Sequence, residues 1–459
     1  MTINFSKIKK AYVIGIKGSG IVAVAEILLS MGVEVSGSDT TEKFFTDAVL
    51  QKLGIKYFEN FSEKNIPIDV ELVVYSTAYN ADNNVEFQEC QKRGLLMVSY
   101  PEILADFFNQ KYGLAVCGTH GKTTTSALLA TCLKNAGVDP TAVVGSRVQE
   151  WDKNALVGKG EFFVIEADEF QNKLKMYNPK AIILTSVDYD HPDTFPSFAE
   201  YKKAFGDFVS RIPKAGFLVV WGDSVDTLEI AKETTCEVIK YGIGEENDVV
   251  IGEQKIINNG QEIFQEFEIK SLGKFRTKLV GKHNVLNATA VVAVAQKLNL
   301  DLGKIREGIN NFQGTSRRFE YIGERNGAIL IDDYGHHPEE IKATLKATRE
   351  IYPDKNIIAV FQPHSFSRTE ALLEDFGQSF DSADQVIVLD IYGSAREYSG
   401  KISSQNVSNL INKYNPQKSE YLPKAEDVVE FLKDKIGKKD VVIAIGAGNG
   451  WEVVEKLKN

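Results

Sequence analysis

"CGTHGKTTTS", residues 117–126, is the stretch that decides the fold. It follows the apolar run "YGLAV" and precedes the helix-like run "ALLATCLKNAG". Strand, glycine turn and helix in that order, around a Gly-Lys-Thr core, are the parts of a phosphate-binding loop. This loop is short: the usual pattern has a further glycine five residues before the Gly-Lys pair, and position 116 is Val. Gly118 and Gly121 permit a nest of backbone N–H groups through Thr119 and His120. Lys122 supplies a point charge for terminal phosphates, and the Thr123 hydroxyl can ligate magnesium. A glycine turn capped by Thr123 or Thr124 at a helix start is the plainer alternative. That alternative has no need of the lysine, so the stretch predicts ATP binding with Mg2+ at residues 118–124.

Outward from the loop, strand–helix alternation restarts in three segments, the pattern of parallel α/β sheets. The expected fold class is α/β with three domains. Residues 1–106 read as a Rossmann-like domain opening with "AYVIGIKGSGIVAVAEILLSMGVEVSGSD". Residues 107–313 read as a central P-loop ATPase domain, its mostly parallel sheet built from runs such as "FFVIEADE" and "AIILTSVDYDH". Period-2 strands around "IINNGQEIFQEFEIK" add a small antiparallel annex, with Asn259-Gly260 as its hairpin turn. The polar stretch "NNFQGTSRRFE" suits a linker, and residues 314–459 read as a C-terminal Rossmann-like domain, with Pro338 in a helix first turn.

The bulk numbers agree with such a chain. Its 459 residues suit two or three domains, each with a core of its own. The first apolar run falls inside a strand–turn pattern, without a signal-peptide cleavage site or a later membrane-length run, which predicts a cytoplasmic protein without membrane insertion. Cys90, Cys117, Cys132 and Cys236 are scattered without a C-x-x-C pair and read as free buried thiols. A net charge of -10 argues against nucleic acid or an anionic membrane as main partner. An anionic small substrate remains open, given local positive charge.

Further motifs lie at strand ends. "GIKGSG" places Gly15, Gly18 and Gly20, with Ser19, in a turn that fits a nucleotide or sugar nucleotide, and Asp39 closes the next strand where an acid often meets a ribose hydroxyl. A plain turn or a nicotinamide site is the alternative. "FFVIEADEF" brings Glu166, Asp168 and Glu169 to a strand end, suited to magnesium or simply solvated. "TSVDYDHPD" does the same for Asp190 and His191. "GKHNVLNATA" offers His283, Asn284 and Asn287 for an adenine edge or a helix cap. Arg317 and Arg318 lie in the linker, where a guanidinium could clamp a phosphate. "DDYGHHP" and "QPHSFSRT" place Asp332, Asp333, Tyr334, His336, His337, His364 and Arg368 after successive strands of the third segment. Three of the six histidines in two loops point to a site.

Taken in order and spacing, these motifs, with "IYGSARE", resemble the Mur ligases over nearly the whole chain. "QPHSFSRT" and "IYGSARE" are similar to the alanine-adding branch of that family. The resemblance implies a UDP-sugar domain, a central ATPase domain and an amino-acid domain. It implies ATP-dependent joining of L-alanine to the lactyl carboxylate of UDP-N-acetylmuramate through an acyl phosphate, in peptidoglycan synthesis. By it Lys122 would bind the β- and γ-phosphates, Thr123 and Glu166 one magnesium, and His191 with Glu166 a second. Asn284 and Asn287 would lie near adenine, Arg318 near the phosphates and Asp333 at the ribose. His336 and Arg368 match the amino-acid end, and Arg368 could hold the alanine carboxylate. Gly18, Ser19 and Gly20 would face the diphosphate, with Asp39, Ser76 and Thr77 in the same UDP-sugar set.

Two positions depart from the family pattern: Ser365 stands where many members have arginine, and Ser186 replaces a frequent asparagine. The first bears on how the amino acid's carboxylate is held, and the second is expected to matter little. The alanine-adding branch needs no carbamylated lysine, so neither Lys202 nor Lys203 is given that role. A peptide-recycling ligase on the same sugar nucleotide, a nicotinamide-dependent oxidoreductase and a non-catalytic relative are the rival readings. A monomer or weak homodimer is expected, with the third domain swinging in to complete the site.

Overall fold

The computed structural model describes residues 3–259, 262–393 and 401–458. Its three sheets are built on apolar runs buried on both faces, as parallel strands covered by helices require. In the first sheet Lys10–Ile14 is central, with Glu34–Ser38 and Lys56–Phe58 on one side and Leu72–Tyr75 and Met97–Ser99 on the other, all parallel. The order therefore reverses beside Lys10–Ile14, and the "GIKGSG" turn leaves this switch point to begin the helix Ser19–Ser30.

The second sheet has ten strands. Tyr112–Cys117, which feeds the phosphate loop, lies between Phe162–Glu166 and Ala181–Leu184, both parallel to it. The acids of "EADE" and the "DYDH" run consequently emerge on the same sheet edge as the loop. Phe217–Trp221 and Glu237–Gly242 extend the parallel part, and Val249–Asn258, Ile263–Ile269 and Gly273–Thr277 form the antiparallel annex. Asn258 pairs with Ile263 across the hairpin, and Glu262 N donates to Asn259 Oδ1 at 2.8 Å. Gly260 of the expected turn lies outside the described residues, as do Ser394, Ala395, Arg396 and Glu397 of "IYGSARE".

The linker passes near the far edge of this sheet on its way to the third sheet. Thr315 bridges to Val148, and Ser316 N donates to Arg147 O at 2.8 Å. The third sheet has six strands, with Ala328–Asp333, Asp440–Ile445, Asn356–Phe361, Gln385–Val388 and Ser419–Tyr421 parallel, and Glu320–Arg325 antiparallel at the edge. Its two faces are packed separately, around Ile331, Phe361 and Ile443 on one side and Leu330, Val360 and Val442 on the other. All four cysteines are free thiols, three of them buried. No helix among the described residues is long and apolar enough to cross a membrane.

Candidate active site

The phosphate loop is held open by its two glycines. Gly118 and Gly121 have φ of +126° and +77°, where an L side chain is strained. A Cβ at Gly118 would collide with Thr185, and one at Gly121 would come within 2.6 Å of Asn287 Oδ1. Gly121 caps the helix Lys122–Asn135 without a side-chain hydrogen bond, so the first N–H groups of that helix are not consumed by a cap side chain. Ser186 holds the loop: its hydroxyl accepts from His120 N at 3.0 Å, and its carbonyl accepts from Thr119 N at 2.8 Å, so these two N–H groups are engaged within the protein.

Lys122 lies across the loop, donating to Gly118 O at 2.6 Å and Thr119 O at 3.1 Å, with Glu169 Oε2 at 3.1 Å. Burial lowers its basicity, but the carboxylates of Glu169, Asp168 and Glu166 outweigh that and hold it cationic. Thr123 Oγ1 donates to Glu166 Oε1 at 2.7 Å, and Gly145 N to Glu166 Oε2 at 2.5 Å. Burial pushes the Glu166 carboxyl up, against these two hydrogen bonds. Donor atoms of Asp168, Glu169 and His191 lie within 4.8 Å of one another. His191 thus joins Asp168 and Glu169, while Glu166 is joined to Thr123. This oxygen-rich set with a single imidazole fits Mg2+. His191 has φ of +54°, the left-handed backbone found at sites where geometry is imposed by the surroundings. Lys202 is instead paired with Asp226 and Glu229, at 3.1 and 2.7 Å.

A cavity of about 300 Å³ opens beside the loop. Trp221, Tyr241, Leu279 and Leu286 give it apolar walls, and Asn284, Asn287 and Asp333 line it. Asn284 Nδ2 donates to Val280 O at 2.8 Å, and Asn287 Nδ2 to Asn284 Oδ1 at 3.3 Å. His283 is pushed down to about 4 by burial and then by Arg318, so it is neutral. Asp333 is engaged within its own domain, accepting from Gly335 N and Phe319 N at 2.8 and 2.9 Å.

A second cavity, about 460 Å³, is walled by all three domains. Ser19, Gly20 and Tyr100 come from the first, Lys122, Glu166, Asp168 and His191 from the second, and His336, His364 and Arg368 from the third. The two cavities share Gly121, Thr123, Arg318 and Glu340. Arg318 therefore stands in the site. Arg317 also borders the second cavity, but its guanidinium is anchored to Asp332 at 2.9 Å and to the carbonyls of Gly446 and Gly448.

The third domain is docked. Arg368 Nε and Nη2 donate to Asp190 Oδ1 and Oδ2 at 2.8 and 3.2 Å, both residues buried. That edge of the guanidinium is occupied by Asp190, and Nη1 lies 3.2 Å from His364 Nδ1. Burial raises the Asp190 carboxyl, but Arg368 outweighs it and keeps the acid ionised. His336 Nδ1 lies 3.1 Å from Tyr334 O, which fixes the proton on Nδ1 and leaves Nε2 as an acceptor. Burial, with Arg368 second, pushes this imidazole down to about 3. Ser365, at φ +70°, caps the helix Phe366–Ala371 with its hydroxyl.

In the first domain Gly18 begins the helix Ser19–Ser30 without a side-chain cap, directing that helix N-terminus toward the second cavity. Asp39 braces the turn, accepting from Lys17 N at 2.6 Å and Thr40 N at 2.8 Å. Ser76 and Thr77 follow Leu72–Tyr75 beside it, and a Cβ at Gly15 would lie 2.8 Å from Ser76 Cβ.

Residues 10–112 match the Mur ligase family catalytic domain, 116–295 the Mur ligase middle domain and 317–448 the Mur ligase glutamate ligase domain. The chain belongs to the Mur ligase family. It is 38% identical, over 97% of its length and 98% of the relative's, to the UDP-N-acetylmuramate–L-alanine ligase of Desulfitobacterium hafniense. It is 38% identical to that of Caldanaerobacter subterraneus, covering 100% of this chain and 99% of the relative. Among solved Mur ligase structures, the UDP-N-acetylmuramate-alanine ligase from Thermotoga maritima superposes with a TM-score of 0.78 at 24% identity, over 98% of both chains. A murein peptide ligase from Psychrobacter arcticus gives 0.68 at 22%, over 98% and 99%. These two likenesses establish the three-domain fold.

Sequence reasoning missed Glu340, Asp188 and Lys173 in this Mur ligase. Asp188 Oδ2 lies 3.2 Å from His120 Nε2, and Lys173 Nζ 3.6 Å from Asp168. Glu340 was legible in part: "HPEE" has the spacing of a capping box, with His337 as N-cap and Glu340 three residues on.

Proposed function

We propose that the chain is an ATP-dependent ligase joining L-alanine to the lactyl carboxylate of UDP-N-acetylmuramate, in peptidoglycan precursor synthesis. The observation that carries this reading is the meeting of two cavities at the phosphate loop, one with apolar walls for a nucleoside and one bounded by all three domains. A carboxylate is a poor acyl donor. One of its oxygens therefore attacks the γ-phosphorus of ATP, ADP leaves, and the acyl phosphate forms. The alanine amine then attacks the acyl carbon, and phosphate departs as the amide forms with loss of a proton.

Each step concentrates negative charge, and the residues supply its counterpart. Lys122 holds the β- and γ-phosphates, with the N–H groups at the start of the helix Lys122–Asn135. Thr123 with Glu166, and His191 with Asp168 and Glu169, would hold Mg2+, which supplies charge neutralisation between the phosphates and the acyl oxygen when bound. Arg318 stands where the cavities join. Asn284 and Asn287 face the base and Asp333 borders the ribose end. Ser19 and Gly20 present the helix N-terminus to the diphosphate, with Ser76 and Thr77 beside the turn. His336 offers a neutral Nε2 to the incoming amine, and Arg368 offers Nη1 beside His364 to the amino acid. Domain limits are proposed at 106/107 and 313/314, in a cytoplasmic monomer or weak homodimer.

The test is phosphate release from ATP with Mg2+ and UDP-N-acetylmuramate, across a panel of amino acids and a stem peptide. Release that requires L-alanine supports the reading. Release with the peptide alone assigns the chain to the peptide-recycling branch instead.

A further inference from the structure

The carboxylate of Glu340 faces two ways. It lies on the third-domain helix Pro338–Ile351, whose N-cap is His337. Oε2 accepts from His336 N at 2.9 Å and His337 N at 3.3 Å, which fixes the loop that presents the His336 imidazole to the reaction cavity. Oε1 points across the domain boundary. There His120 Nδ1, from the phosphate loop, lies at 3.2 Å, and Arg318 Nη1, from the linker, at 3.8 Å.

Helix capping accounts for one oxygen only. A glutamine at this position would cap as well, because the capping box accepts Glu or Gln. The second oxygen meets one cation from the central domain, His120, and one from the linker, Arg318, and Glu340 borders both cavities, as Arg318 does. His120 is held from the other side by Asp188 at 3.2 Å, and its ring lies 4.8 Å from that of His337. The loop that grips the nucleotide and the loop that receives the amino acid are thus joined through one carboxylate.

We propose that Glu340 is a positioning residue that couples the two sites: nucleotide seated on the phosphate loop orients His120 and Arg318, these fix Glu340, and Glu340 fixes the His336 loop for the amino acid. The coupling rests on the ligase reading above. By linkage, each ligand must then strengthen the other.

The experiment compares wild type, Glu340→Gln, His120→Gln and the double variant in steady-state ligation, with melting temperature as the folding control. Glu340→Gln keeps the cap and removes the charge. The expected result is an increase of about tenfold in KM for both ATP and L-alanine and a smaller change in kcat, with a cooperative melting transition retained as evidence of folding. His120→Gln should reproduce this from the other side, and the double variant should be no worse than the worse single one. Both KM values within twofold of wild type in Glu340→Gln, a change in the amino-acid KM alone, or additive effects in the double variant would overturn the coupling. A wild-type protein that forms no product would overturn the ligase reading as well, whereas an active wild type with a normal Glu340→Gln overturns the coupling only.

Discussion

In the turn at residues 15–20, Lys17 bends back into its own domain. Its ammonium donates to Thr40 O, Glu42 O and Glu59 Oε1 at 2.8, 2.9 and 2.9 Å, and its side chain is fully buried. In the loop at residues 118–124, Lys122 lies over the loop carbonyls and looks into a cavity lined by Glu166, Asp168 and His191. Both turns join a parallel strand to a helix that starts without a side-chain cap. The local pattern therefore sets the backbone, whereas the role of the lysine is decided by where distant carboxylates stand. One lysine ties a loop down, and the other is kept charged for a ligand.

The sharpest way to break this contrast is to remove each cation. Lys122→Ala should lower kcat/KM by about 1,000-fold, because the charge that meets the developing negative charge is lost. A cooperative melting transition should be retained, which separates the loss from unfolding. An active Lys122→Ala enzyme would place the two lysines in the same class. Asp190→Asn comes next. It leaves Arg368 buried against a neutral partner, an expected loss of about 3–5 kcal/mol in the docking of the third domain. Small-angle scattering should then show an expanded molecule and ligation should require more L-alanine. An unchanged scattering curve would contradict the tie.

A smaller effect is expected from pH. Burial opposes the charge on His120, but Asp188 and Glu340 hold it up at about 9, above its usual value of 6.5. A raised folded-state value means that its contribution is complete below about 6.5 and disappears as pH rises through about 9. Around this ring stand His337, its imidazole 4.8 Å away, and His283, both pushed down by burial first, with the Arg318 guanidinium lining the same cavity. Melting curves should fall more between pH 7 and 9.5 in wild type than in His120→Gln. Parallel falls would remove the imidazolium from the account. The smallest effect on turnover is expected for Lys17→Met, which should lower the melting temperature by several degrees with kcat retained, since no described contact of Lys17 reaches the cavity.

How much of this was legible follows from the range of each contact. The phosphate loop, the strand-end acids and the antiparallel annex are written in short stretches, because strand, turn and helix signals are local. The histidines of the third domain were legible as a cluster because successive strand ends must share one sheet edge. What the sequence hid is what crosses domains. Arg368 and Asp190 are separated by 178 positions, and His120 and Glu340 by 220. No periodicity links such pairs. Asp39 illustrates a second limit: an acid placed where a ribose hydroxyl is often met has its oxygens engaged by backbone N–H groups, of Thr40 beside it and of Lys17 in the glycine turn. Ser186 illustrates a third, because a small hydroxyl can hold a loop N–H as well as a larger amide side chain can.

The most direct test of the account is to prepare UDP-N-acetylmuramate with 18O in its lactyl carboxylate and follow the label through ligation to L-alanine. A carboxylate oxygen that attacks the γ-phosphorus of ATP becomes the bridging oxygen of the acyl phosphate and leaves with phosphate when the amine displaces it and the acyl C–O bond breaks, so the account predicts singly labelled phosphate in proportion to amide formed. Phosphate free of label while amide accumulates would contradict it.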